Sequence, residues 1–157
     1  MKTILKNNDD LKSLITQLKS EKKRIVFTNG VFDILHRGHV EYLNEAKKLG
    51  DILIVGLNSD SSVRTIKDSS RPVMNENDRA YVLSNLKPVD YVVIFEEENP
   101  HNIIKSILPN FLVKGGDWKL SEIIGSDIVE KSGGKVLCLK YLKNYSTSSI
   151  IEKIKEP

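Results

Sequence analysis

Two histidines, His36 and His39, stand three residues apart with Gly38 between them, in the run Thr28-Asn29-Gly30-Val31-Phe32-Asp33-Ile34-Leu35-His36-Arg37-Gly38-His39. Side chains at that spacing project to one side of a helical entry, and an imidazole there can donate a hydrogen bond to an anion. A glycine leaves room for a phosphate to approach, and a helix N-terminus adds unpaired backbone N–H groups and the positive end of a dipole. The chemistry this set suits is holding and neutralising phosphoryl oxygens. Read singly, either histidine would be a helix cap or a surface residue. A metal site is the competing reading, but with only Asp33 nearby it lacks a third ligand at a familiar spacing.

Other residues suit the same chemistry. Lys67 and Arg71 follow the second apolar run, where they can bring positive charge over reacting phosphates, and the planar guanidinium of Arg71 fits bidentate phosphate binding. A solvated basic loop is the alternative. Ser146 and Thr147 head the last helical pattern, so their hydroxyls and the free N–H groups of that turn form a second anion cradle, with simple capping as the coexisting reading. Asp33 either contacts the substrate or shapes the turn. Arg79, beside Asp78 within a helical pattern, reads as a surface ion pair. Trp118 can cover a base or pack against the core.

The elements that must position these residues alternate. Short β-branched runs at 24–28, 51–57, 90–95, 111–113 and 135–139 read as five strands, most of them too continuously apolar to face water on one side. Between them helical patterns cover 39–49, 76–86, 100–108, 125–132 and 147–155, and an opening amphipathic helix spans 9–20 with Leu11, Leu14, Ile15 and Leu18 as its buried stripe. Asn99 before Pro100 and Ser146 are start signals. Gly50 and the pair Gly133 and Gly134 are expected to close helices with left-handed backbone. The pattern predicts an α/β fold: a Rossmann-like open parallel five-stranded sheet with helices on both faces. The strand-to-helix turn carrying the histidines then falls where ligands sit in such sheets, beyond the carboxyl ends of the strands.

The 157 residues fit one domain over 1–157, with the helix of residues 1–23 packed on it, and neither a repeat nor a linker divides them. No apolar run approaches the roughly 20 residues a spanning helix needs, and the start of the chain lacks a secretory signal, so no membrane association and a cytoplasmic location are expected. The formal charge of +3 suits anionic small molecules, and the absence of a basic block interleaved with aromatics argues against nucleic acid as a partner. The single cysteine, Cys138, reads as a small buried core residue.

The turn HRGH with its lead-in TNGVFD resembles the HxGH signature of the cytidylyltransferase-like nucleotidyltransferase superfamily. GLNSDSSVRTIKDSSRPV, ENDRAYVL, VDYVVIFEE, FLVKGGDW and YSTSSIIEKI extend the likeness from about Arg24 to the end and point to the branch that makes ADP-heptose from D-glycero-β-D-manno-heptose 1-phosphate. The resemblance implies adenylyl transfer from ATP to that sugar 1-phosphate with release of pyrophosphate, the alternative being a cytidylyltransferase acting on glycerol 3-phosphate or another small alcohol phosphate. It implies His36, His39 and Lys67 as catalytic. Thr28, Asn29, Gly30, Phe32, Gly38, Lys114, Gly116, Asp117, Ser146 and Thr147 would bind nucleotide, and Asp33, Asn58, Asp60 and Arg71 the sugar phosphate. It also implies Mg2+ accompanying ATP with no dedicated protein metal site, a homodimer or higher homo-oligomer, and a separate sugar kinase upstream. Ser148 departs from the second threonine usual in relatives but keeps the hydroxyl.

Overall fold

The computed structural model describes residues 3–157. All six strands belong to one parallel sheet with the order β1-β4-β3-β2-β5-β6. In chain order these are β1 (Thr3–Leu5), α1 (Asn8–Ser20), β2 (Ile25–Gly30), α2 (Arg37–Lys47), β3 (Ile52–Asn58), α3 (Asp60–Ile66), α4 (Glu76–Ser84) and β4 (Tyr91–Phe95). Then follow α5 (His101–Ile107), β5 (Phe111–Gly115), a single 3-10 turn (Leu120–Glu122), α6 (Ser126–Lys131), β6 (Lys135–Leu139) and α7 (Thr147–Lys155).

The central strands are apolar on both faces because both faces are covered. On one side Leu11, Ile15 and Leu18 of α1, Ile103, Ile104 and Ile107 of α5 and Val129 of α6 pack on Ile25, Phe27, Ile54 and Leu112. On the other, Tyr42, Leu43 and Ala46 of α2 and Ala80 and Leu83 of α4 pack on Val26, Leu53, Val55 and Val113. Side-chain caps fix where several helices begin: Asn7 accepts from the amide of Asp10 at 2.8 Å, Asn75 from Asp78 at 3.0 Å and Ser146 from Ser149 at 3.0 Å. The Rossmann-like parallel sheet with two helical layers is as expected.

Two elements exceed the expectation. The sixth strand, β1, pairs with β4 from Thr3 to Leu5, a stretch read only as the lead-in to the first helix. The presumed loop after β3 instead holds α3, started by Ser59, whose hydroxyl accepts from the amide of Ser62 at 3.1 Å. Two local readings are corrected. Neither Gly50 nor Gly134 has left-handed backbone, although Gly133 does at φ +86. Gly50 is needed for closeness instead, since a Cβ there would lie 2.7 Å from the carbonyl oxygen of Arg24. Cys138 is half-buried rather than in the core, with its thiol directed at the carbonyl of Trp118 at 3.4 Å.

The strand order positions the site. From β2 the chain steps outward to β3 and then β4, and afterwards crosses back to lay β5 on the opposite flank of β2. The carboxyl ends of β2 and β5 therefore border the crevice where ligands bind in sheets of this kind.

Candidate active site

A cleft of about 400 Å³ opens at that crevice. Four segments from different elements form its walls: the turn after β2, the stretch after α3, the end of β5, and the connection from β6 into α7. A larger hollow of about 1000 Å³ lies at the β1–β4 edge, lined by Lys6, Glu76, Glu97 and Lys105 among others, and holds neither of the paired histidines.

The histidines sit at the N-terminus of α2. This helix begins at Arg37, earlier than the sequence pattern indicates, so His36 is itself the cap residue, in extended conformation. The two rings stack with centroids 3.8 Å apart and planes 22° apart. The Nδ1 of His39 accepts the backbone N–H of His36 at 3.3 Å, which puts the proton of a neutral His39 ring on Nε2. The Nδ1 of His36 is buried without a partner among the described residues. Burial, followed by the charge of His36, lowers the His39 pKa to about 4, and burial lowers that of His36 as well. Near neutral pH the pair is uncharged and offers N–H donors.

Two glycines and one strained residue make this arrangement possible. Phe32 has left-handed backbone at φ +45, a conformation that costs a bulky residue on the order of 1 kcal/mol or more. Its ring lies against Gly30, where a Cβ would come within 2.9 Å of it, and 5.3 Å from the His39 ring. Gly38 lines the cleft, and a Cβ there would meet the His36 ring at 3.0 Å and the Cβ of Tyr145 at 3.1 Å. Its bareness lets the imidazole fold back over the helix end.

Asp33 is wholly buried as a side chain and fully engaged. Its Oδ2 accepts from Arg71 Nε and the amide of Val73, both at 2.8 Å, and its Oδ1 from the amide of Met74 at 2.9 Å. Burial works against its charge, but the Met74 and Val73 amides and the Arg71 guanidinium outweigh it and hold the pKa below the usual carboxylate value. Lys67, Arg71 and Lys114 bring three cationic side chains to the cleft. Burial lowers the pKa of Lys114, whose Nζ stands 5.8 Å from the centre of the Trp118 ring. At the far wall Ser146 caps α7, and the Thr147 hydroxyl donates to the carbonyl of Ile34 at 2.9 Å, fastening α7 to the histidine turn.

Of the expected site residues, Asn29, Gly30, Phe32, Asp33, His36, Gly38, His39, Lys67, Arg71, Lys114, Ser146 and Thr147 line this cleft together. Five do not. Thr28 is buried, its hydroxyl 2.6 Å from that of Tyr42, which donates to the Val113 carbonyl. Asn58 is buried and donates to the Ser62 hydroxyl at 2.9 Å. Asp60 is bound by Arg79 at 2.7 Å. Gly116, at φ +101, and the exposed Asp117 follow the end of β5 and are not part of the cleft lining. The reading of Arg79 as a surface ion pair is corrected too. It is 1% exposed, and besides Asp60 it donates to the carbonyls of Val31 at 2.7 Å, Asn58 at 2.9 Å and Met74 at 2.9 Å, joining the turn after β2, the junction of β3 with α3 and the loop before α4.

Tyr141 and Tyr145 line the cleft without having stood out in the sequence. The Tyr141 ring lies directly against the backbone of Gly115, and the Tyr145 ring is 6.0 Å from that of His36. Their signal was the pairing of tyrosines with the facing glycines, which sequence distance conceals. Among the described residues no cluster of three or more histidine, cysteine or carboxylate side chains is placed to hold a metal ion, and no helix is long and apolar enough to cross a membrane.

A family model described as cytidylyltransferase-like matches residues 27–153, a span that contains every wall of the cleft. The chain belongs to the cytidylyltransferase-like family of nucleotidyltransferases. It is 49% identical over 152 residues to the bifunctional protein HldE of Aliarcobacter butzleri, covering 97% of this chain and 31% of that protein. With HldE of Wolinella succinogenes the identity is 50% over 148 residues, covering 94% of this chain and 30% of the relative. The chain thus spans about a third of the length of the curated relatives it matches. Among solved structures, the lipopolysaccharide core biosynthesis protein of Thermoplasma volcanium is 32% identical with a TM-score of 0.63, covering 79% of this chain and 99% of the other. The pantoate-beta-alanine ligase of Francisella tularensis, solved with an ATP ligand and beta-alanine, matches 99% of this chain and 77% of the other with a TM-score of 0.65 at 15% identity, a likeness of fold alone.

Proposed function

We propose that this chain transfers AMP from ATP to the phosphate of D-glycero-β-D-manno-heptose 1-phosphate, forming ADP-heptose and pyrophosphate. The observation that carries this reading is the stacked imidazole pair at the mouth of α2, set between cationic side chains on one hand and the capped N-terminus of α7 on the other. The choice of ATP and heptose rests on the ordered motifs of the heptose branch and on near-half identity to HldE proteins along almost the whole chain.

The reaction is an in-line displacement. An oxygen of the sugar phosphate attacks the α-phosphorus, the bond from that phosphorus to the α,β-bridging oxygen breaks, and pyrophosphate leaves with the electron pair on that oxygen. Such chemistry needs little proton transfer and much positioning, because two anions must be brought together and charge spreads over the phosphoryl oxygens. His36 and His39 act as N–H donors to those oxygens, Lys67 as a mobile charge at the reacting phosphates, and Lys114, Ser146, Thr147 and the first-turn amides of α7 as the hold on the triphosphate.

Mg2+ would enter on the triphosphate rather than in a protein cage. The one carboxylate among the described residues lining the cleft, Asp33, has both oxygens committed to protein donors. The remaining parts of the reading are a homodimeric or larger assembly, a cytoplasmic location, and a sugar kinase activity that supplies the sugar 1-phosphate.

A pyrophosphate-release assay tests this. With Mg2+ present, ATP and the β-anomer of the heptose 1-phosphate are expected to outpace CTP and glycerol 3-phosphate, and the reverse ranking would move the chain to the cytidylyl alternative.

A further inference from the structure

The guanidinium of Arg71 is tethered at one edge only. Its Nε donates to Asp33, while neither Nη carries a hydrogen bond to a described residue, and the side chain is 11% exposed at the wall of the cleft. A guanidinium fixed through Nε presents the edge bearing both Nη atoms on its other side, the edge that fits two oxygens of one phosphate. Asp33 in turn accepts three donors on two oxygens and has no exposed surface, so it has nothing left to offer a sugar hydroxyl. The expectation that Asp33 itself touches substrate gives way to a different role.

We infer that Asp33 is a positioning residue that aims the outer edge of Arg71 at the phosphate of the acceptor. This rests on the reading of the site given under Proposed function. The sheet order decides which phosphate is meant. Lys67 and Arg71 come after β3 on one flank of β2, whereas Lys114 ends β5 and Ser146 and Thr147 follow β6 on the other. The histidines, following β2, stand between. An in-line displacement puts the incoming oxygen and the departing pyrophosphate on opposite sides of the α-phosphorus. With α7 and Lys114 serving the nucleotide flank, the fixed guanidinium on the β3 flank falls to the incoming phosphate monoester.

Asp33 also lies three residues before His36 on the same turn, so one carboxylate sets the basic loop and the imidazole pair in register. It offsets part of the positive charge that Arg71 brings to the cleft.

Calorimetry on protein saturated with a non-hydrolysable ATP analogue, using inorganic phosphate as the probe, tests this without turnover. Asp33→Asn and Arg71→Ala should each raise the phosphate Kd about ten- to a hundredfold, the range expected when a hydrogen bond to a charged group is lost. The Kd of the ATP analogue should stay within about twofold. Millimolar guanidinium should restore phosphate binding to Arg71→Ala, because it can dock on the Asp33 carboxylate, and methylammonium should not. Rescue should vanish in the double variant. An unchanged phosphate Kd, an equal loss of nucleotide affinity, or equal rescue by both cations would overturn the inference. Should Asp33→Asn fail to fold, the comparison of guanidinium with methylammonium on Arg71→Ala decides alone. Absence of wild-type turnover with ATP and the heptose phosphate would count against the proposed function, while the phosphate-binding result would stand by itself.

Discussion

The Nδ1 of His39 accepts the backbone N–H of His36, and the two rings stack at 3.8 Å. The helix-capping contact thereby also chooses the tautomer of the ring. Held this way, the Nε2–H of a neutral His39 is free to point at an anion, and protonation of Nδ1 would break the capping contact.

Replacing either histidine by alanine should lower turnover about a hundredfold to a thousandfold, the usual effect of removing one preorganised donor. The far-UV spectrum should be unchanged, since neither ring belongs to the two core clusters. Steady-state pyrophosphate release checks this, and near-normal turnover would remove the histidines from the chemistry.

The pH dependence has a definite sign. His39 is depressed from 6.5 to about 4 in the folded protein, so between these values the unfolded chain binds a proton that the folded chain does not. Stability from this group is complete above pH 6.5 and declines as the pH falls toward 4. His36 contributes in the same direction. Imidazole proton resonances followed by NMR should show His39 titrating near 4 and should move that titration upward once a triphosphate is bound. A free-protein midpoint near 6.5 would contradict the buried, neutral assignment.

Arg79→Met should destabilise the protein by about 3 kcal/mol or more, because it leaves the Asp60 carboxylate and three backbone carbonyls without their donor. Arg79→Lys should recover only a small part, since a single ammonium cannot reach four acceptors set by a planar fork. Urea denaturation measures both. A surface ion pair would cost less than about 1 kcal/mol.

Two glycine substitutions should separate. Gly50→Ala meets the carbonyl of Arg24 at 2.7 Å, a backbone atom that cannot step aside, and should cost about 1–3 kcal/mol of stability. Gly115→Ala meets only the Tyr141 ring, which is 59% exposed and free to swing. It should leave stability nearly intact and raise the KM for nucleotide by disturbing the cleft wall. Thermal melts together with nucleotide titrations distinguish the two.

What could be read in advance followed the range of the interactions involved. Strands β2 to β5 announced themselves because helices cover both faces and their sequences are mostly apolar, and the edge strand β6 through its apolar run from Val136 to Leu139. β1 did not, being three residues long and paired with a strand far along the chain. α3, with the sequence DSSVRTI, is built from residues that favour turns and strands as readily as helices, and only its Ser59 cap and its contact with β3 define it. The histidine turn was legible because its parts are adjacent. Arg79 looked superficial because its partners are scattered along the chain, Val31 after β2, Asn58 at the end of β3, Asp60 at the start of α3 and Met74 before α4, and no local pattern brings them together. Asp33 reads in sequence as touching substrate or shaping the turn, and its partners Arg71, Val73 and Met74 are out of sight there because they come 38 to 41 residues later.

The buried guanidinium of Arg79 gives the molecule an ordered way to fail. Two of its three carbonyl acceptors, those of Val31 and Met74, lie in loops beyond the sheet, so a perturbation that loosens them dismantles the reaction centre while the pleated framework is still intact. Loss of catalysis on mild heating should therefore precede melting, leaving a folded but silent protein.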